Sequence, residues 1–280
     1  MEANKITFKT KSKPISVSDK AFDIFNYFLL SVVLLITAYP LYYVLIASVS
    51  DPFKVYAGQT MLFPVGFSWG GYERIFQDAM ITRGYLNSIT YTFLGTTVSV
   101  LLTCISGYAL SKKTLPGRRL LMLFLLFTMY FNGGLIPTYL TVREVGLFNT
   151  LWALIIPNAV SVYNLIIART FFESNIPESL TEAASIDGSS NIGTMFRIVM
   201  PLSTPIIAVM VVFYAVGLWN NWFDALIYTT KSDMAPLQLV LRSILIKSQA
   251  SSDMMMNMDA NYAEKQKVTE MIKFASIVVA

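Results

Sequence analysis

The chain has 280 residues, of which 55% are apolar and only 14% are charged. Because soluble domains carry about 25% charged residues, this composition excludes an ordinary soluble protein and indicates a polytopic helical membrane protein. The chain has no histidine and a single cysteine, Cys104, which lies in an apolar run and is best interpreted as a small buried hydrophobe. We therefore expect no enzyme and no metal site. The net charge of +4 comes with no nucleic-acid-binding pattern, so no nucleic-acid partner is expected.

Uncharged stretches of about 20 residues can cross a bilayer as helices, and five such stretches occur. They are Ile24–Ser50, Gly84–Ser111, Leu120–Val142, Val145–Ala168 and Ile198–Phe223. A sixth apolar run begins at Phe274 and stops at Ala280, and we interpret it as a truncated sixth span. The fold class predicted is an all-α membrane protein with six transmembrane helices, the sixth truncated. Residues 1–20 are polar and do not resemble a cleaved signal peptide.

Lysine and arginine predict the orientation of these spans. The N-terminal tail is rich in lysine, and the loop 111–119 carries four basic residues, so both are expected in the cytoplasm. The loop 169–197 then lies on the same side, and the segments 51–83 and 224–273 lie outside. Two regions are expected: residues 1–83, with tail, first span and external loop, and a core of residues 84–280. Within the last external loop, an amphipathic run at 236–247 predicts a helix that does not span.

The polar stretch Ser174–Pro205 lies between two predicted spans and has the pattern of two short helices. Asn175 is expected to cap the first helix, with Pro177 in its first turn, and Gly188 is expected to end it. Ser189 or Ser190 is expected to cap the second helix. Its apolar stripe would consist of Ile192, Met195, Phe196 and Val199. The stretch therefore predicts a helix–turn–helix that docks a partner.

The first of these helices contains the sequence Glu182-Ala183-Ala184. Two alanines leave a smooth surface that another protein can approach closely, and the adjacent carboxylate can meet a cation. Residue types alone leave a second interpretation open, a loop helix that covers its own bundle. With Gly188, Ile198 and Pro201 at their spacings, the sequence resembles the EAA loop of permease subunits of bacterial ATP-binding-cassette (ABC) importers, the MetI-like family. Met200 stands where that family usually has leucine.

Other segments extend this resemblance over most of the chain. Those similar to the carbohydrate-uptake branch are Asn87-Ser88, Gly107–Lys113, Pro116-Gly117-Arg118 and Trp219–Leu226. Two more, Phe131–Tyr139 and Leu147–Thr150, resemble the subgroup that imports larger, polysaccharide-derived oligosaccharides.

The resemblance implies a type I importer permease of the bacterial cell membrane. It implies a second homologous permease, two cytoplasmic ATPase subunits, an extracellular solute-binding protein and an oligosaccharide substrate. ATP and Mg would be bound by the ATPase, since this chain lacks a Gly-x-x-x-x-Gly-Lys-Ser/Thr loop. The implied ATPase-coupling residues lie in the loop 174–201. They are Glu182, Ala183, Ala184, Asp187, Gly188, Phe196, Ile198 and Pro201.

The substrate path is predicted from amide and aromatic side chains, which suit sugars by hydrogen bonding and stacking. The candidates are Asn132, Asn158, Tyr163, Trp219, Asn220 and Asn221. The alternative is that tryptophans anchor at the interface and asparagines join helices. Pro137, Pro157 and Pro205 are expected either to kink spans around a cavity or simply to be tolerated there. Asp224 is expected to be solvated.

A second functional class is a stand-alone secondary transporter or channel for a small polar solute. Ion-coupled transporters usually place an ionisable residue inside a span, and no Asp, Glu, Lys or Arg lies within the five complete predicted spans. No internal repeat is visible either. Both observations favour the ABC permease.

Overall fold

In a computed structural model of the chain, residues 17–254 and 272–279 are described, and the regular elements among them are all helices. The α-helices are α1 (Val17–Ser48), α2 (Pro52–Tyr56), α3 (Gly70–Gln77), α4 (Ala79–Ser111), α5 (Arg118–Tyr130), α6 (Leu135–Glu144), α7 (Trp152–Ile155), α8 (Val162–Asn175), α9 (Glu178–Ile186), α10 (Asn191–Thr194), α11 (Met200–Leu202), α12 (Thr204–Trp219), α13 (Phe223–Tyr228) and α14 (Leu237–Met254). Residues 272–279 are also helical and include the start of the predicted sixth span. The first 16 residues of the predicted tail, and residues 255–271 of the predicted external loop, lie outside the described residues.

Two helices, α1 and α4, are each long and apolar enough to cross a membrane on their own. Helix α1 continues through Pro40, and most of its apolar side chains are exposed. Helix α4 has many small residues on its buried faces, so neighbouring helices approach it closely.

The other three predicted spans are not straight helices. The stretch Leu120–Val142 is divided between α5 and α6, which meet at an angle of 115°. The break falls where Gly134 adopts a φ of +84°, a left-handed conformation that glycine tolerates. The third predicted span is therefore a broken span or a re-entrant loop, a distinction that apolar composition does not report.

The fourth and fifth predicted spans are bent for similar local reasons. The segments Trp152–Asn158 and Val162–Asn175 form an angle of 56°, and Pro157 lies in the 3-10 turn that ends the first of them. The segments Asn191–Leu202 and Thr204–Trp219 form an angle of 84°. Pro205 lies in the first turn of α12, where a missing N–H costs nothing. The predicted fifth span therefore begins at about Thr204 rather than Ile198.

The main core lies where α4 packs against α8 and α12. Its buried residues are Val100, Cys104, Tyr108, Ala168, Phe172, Met195, Val199, Ile206, Met210 and Tyr214. Cys104 has no exposed surface, which confirms its expected role as a small buried hydrophobe. The Thr103 and Tyr214 hydroxyls are hydrogen-bonded at 2.7 Å, and the Tyr214 oxygen also accepts from the Ser161 N–H at 3.1 Å. These polar contacts join all three helices inside an apolar core.

A second core forms where α14 packs on the beginning of α4. The Leu237 N–H donates to the Ser88 hydroxyl at 2.9 Å, and a Cβ at Gly84 would lie 3.2 Å from the Leu237 Cα. Val240 and Leu241, one turn further along, are buried. The amphipathic run predicted from residue 236 is therefore a helix whose apolar side faces α4.

Candidate functional site

The first helix of the predicted helix–turn–helix is α9, and its two ends differ in how well they were predicted. Gly188 ends it with a φ of +76°, and the Ser189 N–H donates to the Ala184 carbonyl at 2.9 Å. This confirms the glycine stop. Asn175 is not the N-cap, because α8 continues to that residue and its amide donates to the Phe171 carbonyl at 3.0 Å. The capping pattern was misread because a helix C-terminus immediately precedes Pro177.

The second helix begins as predicted at Ser190, whose hydroxyl accepts from the Gly193 N–H at 3.1 Å. Its predicted apolar stripe divides between two environments. Met195 and Val199 are buried in the main core. Ile192 and Phe196 are 73% and 46% exposed. The helix thus fastens the loop to the bundle on one side and presents apolar side chains on the other.

The exposed face of the loop combines these side chains with part of α9. Glu182 and Ala183 are exposed, whereas Ala184 is 5% exposed and faces inward. The expectation that both alanines form one smooth surface was therefore wrong. Ile186 is 87% exposed, and the sequence reasoning missed it. Its spacing of three residues from Ala183 and four from Glu182 places it on their face and could have revealed it.

We call this exposed face the coupling surface. It consists of Glu182, Ala183, Ile186, Asp187, Ile192 and Phe196. Of the remaining predicted coupling residues, Gly188 makes the turn, Ile198 is half-buried and Pro201 is exposed at the bend before α12. The surface carries two carboxylates around large apolar side chains, a composition suited to binding another protein rather than to chemistry.

Ion pairs connect the loop 169–197 to the basic loop after α4. Glu173 near the end of α8 accepts from Arg118 at 2.8 Å and from Arg169 at 3.0 Å. Lys113 lies 3.3 Å from Glu178, at the start of α9. The loops 111–119 and 169–197 therefore lie on the same side of the bundle. This proximity agrees with the charge pattern that predicted a shared side for both loops.

Two of the predicted substrate-path residues meet at one carboxylate. The Asn158 and Asn221 amides donate to the same oxygen of Asp224, at 2.7 and 2.6 Å. Asp224 was expected to be merely solvated, and this expectation was wrong. Asn158 lies between α7 and α8, Asn221 lies in the turn between α12 and α13, and Asp224 lies in the first turn of α13. This Asn–Asp–Asn cluster joins two interrupted spans, and only the tertiary structure brings it together.

The other path candidates have local roles. The Asn132 side chain accepts from the Gly134 N–H at 3.1 Å in the α5–α6 break, and Asn220 donates to the Val216 carbonyl at 2.9 Å. Tyr163 is 61% exposed. Trp219 is half-buried, with its ring centroid 6.5 Å from that of Tyr85.

Comparison with known proteins places the chain in a family. It is 40% identical over 264 residues, covering 94% of this chain and 91% of the other, to the polygalacturonan/rhamnogalacturonan transport system permease protein YtcP of Bacillus subtilis. The chain is a permease subunit of bacterial carbohydrate-uptake ABC importers. The permease is also 40% identical over 233 residues to the protein LplC of Bacillus subtilis, covering 83% of this chain and 79% of LplC.

A solved structure matches the permease over nearly its whole length. It is a bacterial ABC transporter involved in the import of the acidic polysaccharide alginate. The TM-score is 0.83 at 30% sequence identity, with 96% of the permease and 95% of the other chain covered. No protein-family profile matches the sequence. The permease is therefore a multi-pass membrane transport subunit and not itself an enzyme, as its composition predicted.

A groove between α4 and α12 marks a further surface of the permease. It encloses about 650 Å³ between apolar side chains that include Phe93, Val211 and Trp219. Thr92, Thr96 and Thr97 contribute the hydroxyls in its lining. A sugar site requires convergent hydrogen-bonding groups, and this groove offers too few of them. The Asn–Asp–Asn cluster is therefore the better candidate for contact with a polar substrate.

Proposed function

We propose that the permease forms half of the pathway of a binding-protein-dependent oligosaccharide importer, with a second homologous permease forming the other half. Six spans would cross the bacterial cell membrane, with the N-terminus in the cytoplasm. Residues 1–83 would provide the tail, first span and external loop, and residues 84–280 the core. The coupling loop 174–201 would face the cytoplasm, and residues 224–273 would lie outside. The ion pairs between the loops 111–119 and 169–197 support this arrangement.

The coupling surface of each permease would dock into one cytoplasmic ATPase subunit. The observation that carries this proposal is the combination of Ile186, 87% exposed, and Ile192, 73% exposed, beside the carboxylate of Glu182. Water-exposed isoleucines next to a charged side chain suit a protein partner that covers the apolar area and supplies a cation. Gly188 would make the turn, and Ala183, Asp187, Phe196, Ile198 and Pro201 would complete or support the contact.

The ATPase would displace this loop, and the displacement would be transmitted to the bent spans. ATP and Mg would be bound by the ATPase, because the permease sequence lacks a phosphate-binding loop. The segment Asn191–Leu202 carries the coupling surface and meets Thr204–Trp219 at 84°, so displacement of the loop would tilt α12 directly. Met195 and Val199 are buried in the core around α4, so the same displacement would reach α8.

An extracellular solute-binding protein would deliver the oligosaccharide to the external loops. YtcP is named for a polygalacturonan/rhamnogalacturonan transport system, and the matched structure is of a transporter that imports alginate. These names support a polysaccharide-derived oligosaccharide as the substrate. Within the membrane, the Asn–Asp–Asn cluster would contact its hydroxyls. Asn132, Tyr163, Trp219 and Asn220 remain candidates for secondary contacts along the path.

Site-specific crosslinking tests the proposal in the assembled transporter. Cys104 is fully buried, so a cysteine introduced by Glu182→Cys would be the reactive thiol of the chain. In membranes containing the ATPase, the partner permease and the binding protein, a bifunctional reagent should join residue 182 to the ATPase. The complex should also accumulate labelled oligosaccharide in proteoliposomes only when ATP is supplied.

The matched control is Lys231→Cys, a replacement of an exposed residue in the turn between α13 and α14. It should give no crosslink to the ATPase, since this turn would lie outside. Crosslinking to the ATPase from residue 231 but not from residue 182 would reverse the proposed orientation and exclude the coupling surface. Uptake without ATP or ATPase would exclude the importer.

A further inference from the structure

A groove of about 810 Å³ lies beside the beginning of α5, apart from both the coupling surface and the Asn–Asp–Asn cluster. Its basic lining comes from the loop after α4, the first turn of α5 and the middle of α8. We call it the basic groove. Its cations are Lys113, Arg118, Arg119 and Arg169, and its apolar lining includes Leu120 and Leu123.

The basic groove holds more positive charge than its neighbours neutralise. Glu173 accepts hydrogen bonds from Arg118 and Arg169, and Glu178 pairs with Lys113 on an exposed surface. Arg119 is exposed and has no ion-pair partner among the described residues. Four cations therefore face two carboxylates, and this excess favours an anion.

The local backbone adds to this preference. The first turn of α5 contains two arginines and no acidic residue. Positive side chains are unfavourable at a helix N-terminus, because the helix dipole is positive there. No side chain of the described residues caps this terminus, where Gly117 adopts a φ of +73°. The Arg169 Nε is buried and has no hydrogen-bond partner among the described residues. An anion in the groove would offset the uncapped helix terminus and the two arginines beside it.

The apolar side of the groove indicates which anion fits. Directly after Arg119, the side chains of Leu120, Leu123 and Phe124 are 73%, 58% and 64% exposed. The change from arginine to a continuous apolar run is typical of the boundary between headgroups and hydrocarbon. An occupant that satisfies both parts must carry a negative charge at one end and hydrocarbon at the other.

We propose that the basic groove binds an anionic phospholipid. Its phosphate would lie against Arg119 and Lys113, and an acyl chain would cover Leu120 and Leu123. A free phosphate ion would pair with the cations but leave these leucines uncovered. An acidic protein segment would likewise pair with the cations and leave the leucines uncovered. The proposal rests on the membrane placement described under the proposed function, but not on its substrate or its ATPase.

Lipid titration of the purified full chain tests this site. In neutral detergent, native mass spectrometry should detect phosphatidylglycerol bound at least tenfold more tightly than phosphatidylcholine. The variant Arg119→Gln should lower the phosphatidylglycerol affinity at least fivefold. Lys231→Gln, which removes an exposed cation elsewhere, should leave it unchanged. Arg119 makes no ion pair within the described chain, so its variant should fold normally, and circular dichroism checks this.

Several outcomes would overturn the proposal. Equal affinity for the two phospholipids, or no effect of Arg119→Gln, would exclude a headgroup site at the basic groove. Inorganic phosphate that displaces phosphatidylglycerol at equal concentration would indicate a simple anion site. Loss of the lipid when the ATPase is added would show that a protein covers the groove. None of these results would alter the crosslinking test of the importer, so failure of the lipid site can be distinguished from failure of the importer.

Discussion

At the scale of single residues, Gly188 raises two separate questions. One is whether its positive φ requires glycine, and the other is whether a neighbouring atom leaves room for a Cβ. Its φ of +76° costs an alanine about 1–2 kcal/mol, whereas asparagine adopts this conformation more readily. A Cβ at this position would meet no atom of the described chain within 4 Å. Any further penalty would therefore come from the proposed ATPase partner.

We predict that Gly188→Asn retains most of the oligosaccharide uptake and that Gly188→Ala reduces it several-fold. The backbone conformation alone would explain this order, and uptake in proteoliposomes measures it. If both variants abolish ATPase binding in a pull-down while the permease remains folded, the partner must approach the glycine too closely for any Cβ.

Asp224 carries the second residue-scale prediction. It accepts from the Asn158 and Asn221 amides, and a hydrogen bond to a charged group contributes about 1.5–3 kcal/mol. Asp224→Ala leaves both amides without this partner and should reduce uptake roughly tenfold or more, whereas ATPase binding should persist. Asp233→Ala is the control, since that carboxylate makes a 3.5 Å ion pair on an exposed surface and should matter little. Equal uptake by both variants would show that the Asn–Asp–Asn cluster is not part of the substrate path.

At the scale of elements, the crossing of α4 and α8 depends on a missing side chain. A Cβ at Gly107 would lie 3.1 Å from the Ala168 Cβ and 3.2 Å from the Arg169 backbone nitrogen. Both are rigidly placed, so Gly107→Ala must move one helix. Overpacking of this kind costs about 1–3 kcal/mol.

We therefore predict a lower thermal midpoint for Gly107→Ala in detergent. Gly217→Ala in α12 is the matched control, because a Cβ there meets no described atom within 4 Å and alanine favours a helix by up to about 1 kcal/mol. Gly107→Ala should lower the thermal midpoint, whereas Gly217→Ala should raise it or leave it unchanged. An unchanged midpoint for Gly107→Ala would mean that the two helices separate easily.

At the scale of the whole molecule, the coupling surface and the basic groove lie at one end of the bundle. Glu173 connects them, since it holds Arg118 of the groove and belongs to the helix that precedes α9. The Asn–Asp–Asn cluster instead joins the interrupted spans. The regions proposed for a protein partner, for a polar substrate and for lipid are therefore separate, and α4, α8 and α12 link them.

The sequence by itself determined the membrane class, the helix–turn–helix and its glycine stop. These depend on composition and on local backbone chemistry, which neighbouring residues specify. The apolar runs also located two long apolar helices and three apolar helix pairs, which are bent near Gly134, Pro157 and Ser203. A run of apolar residues reports where hydrocarbon is favourable, but it does not report whether the helix inside it is straight.

Only the tertiary structure decided which residues meet. Asp224 contacts Asn158 across 66 positions of chain, and Arg118 contacts Glu173 across 55. It also decided that Ala184 is buried while Ile186 is exposed, because burial depends on what covers each face of α9. Such contacts follow from helix packing over the whole bundle, and a single sequence contains no direct record of that packing.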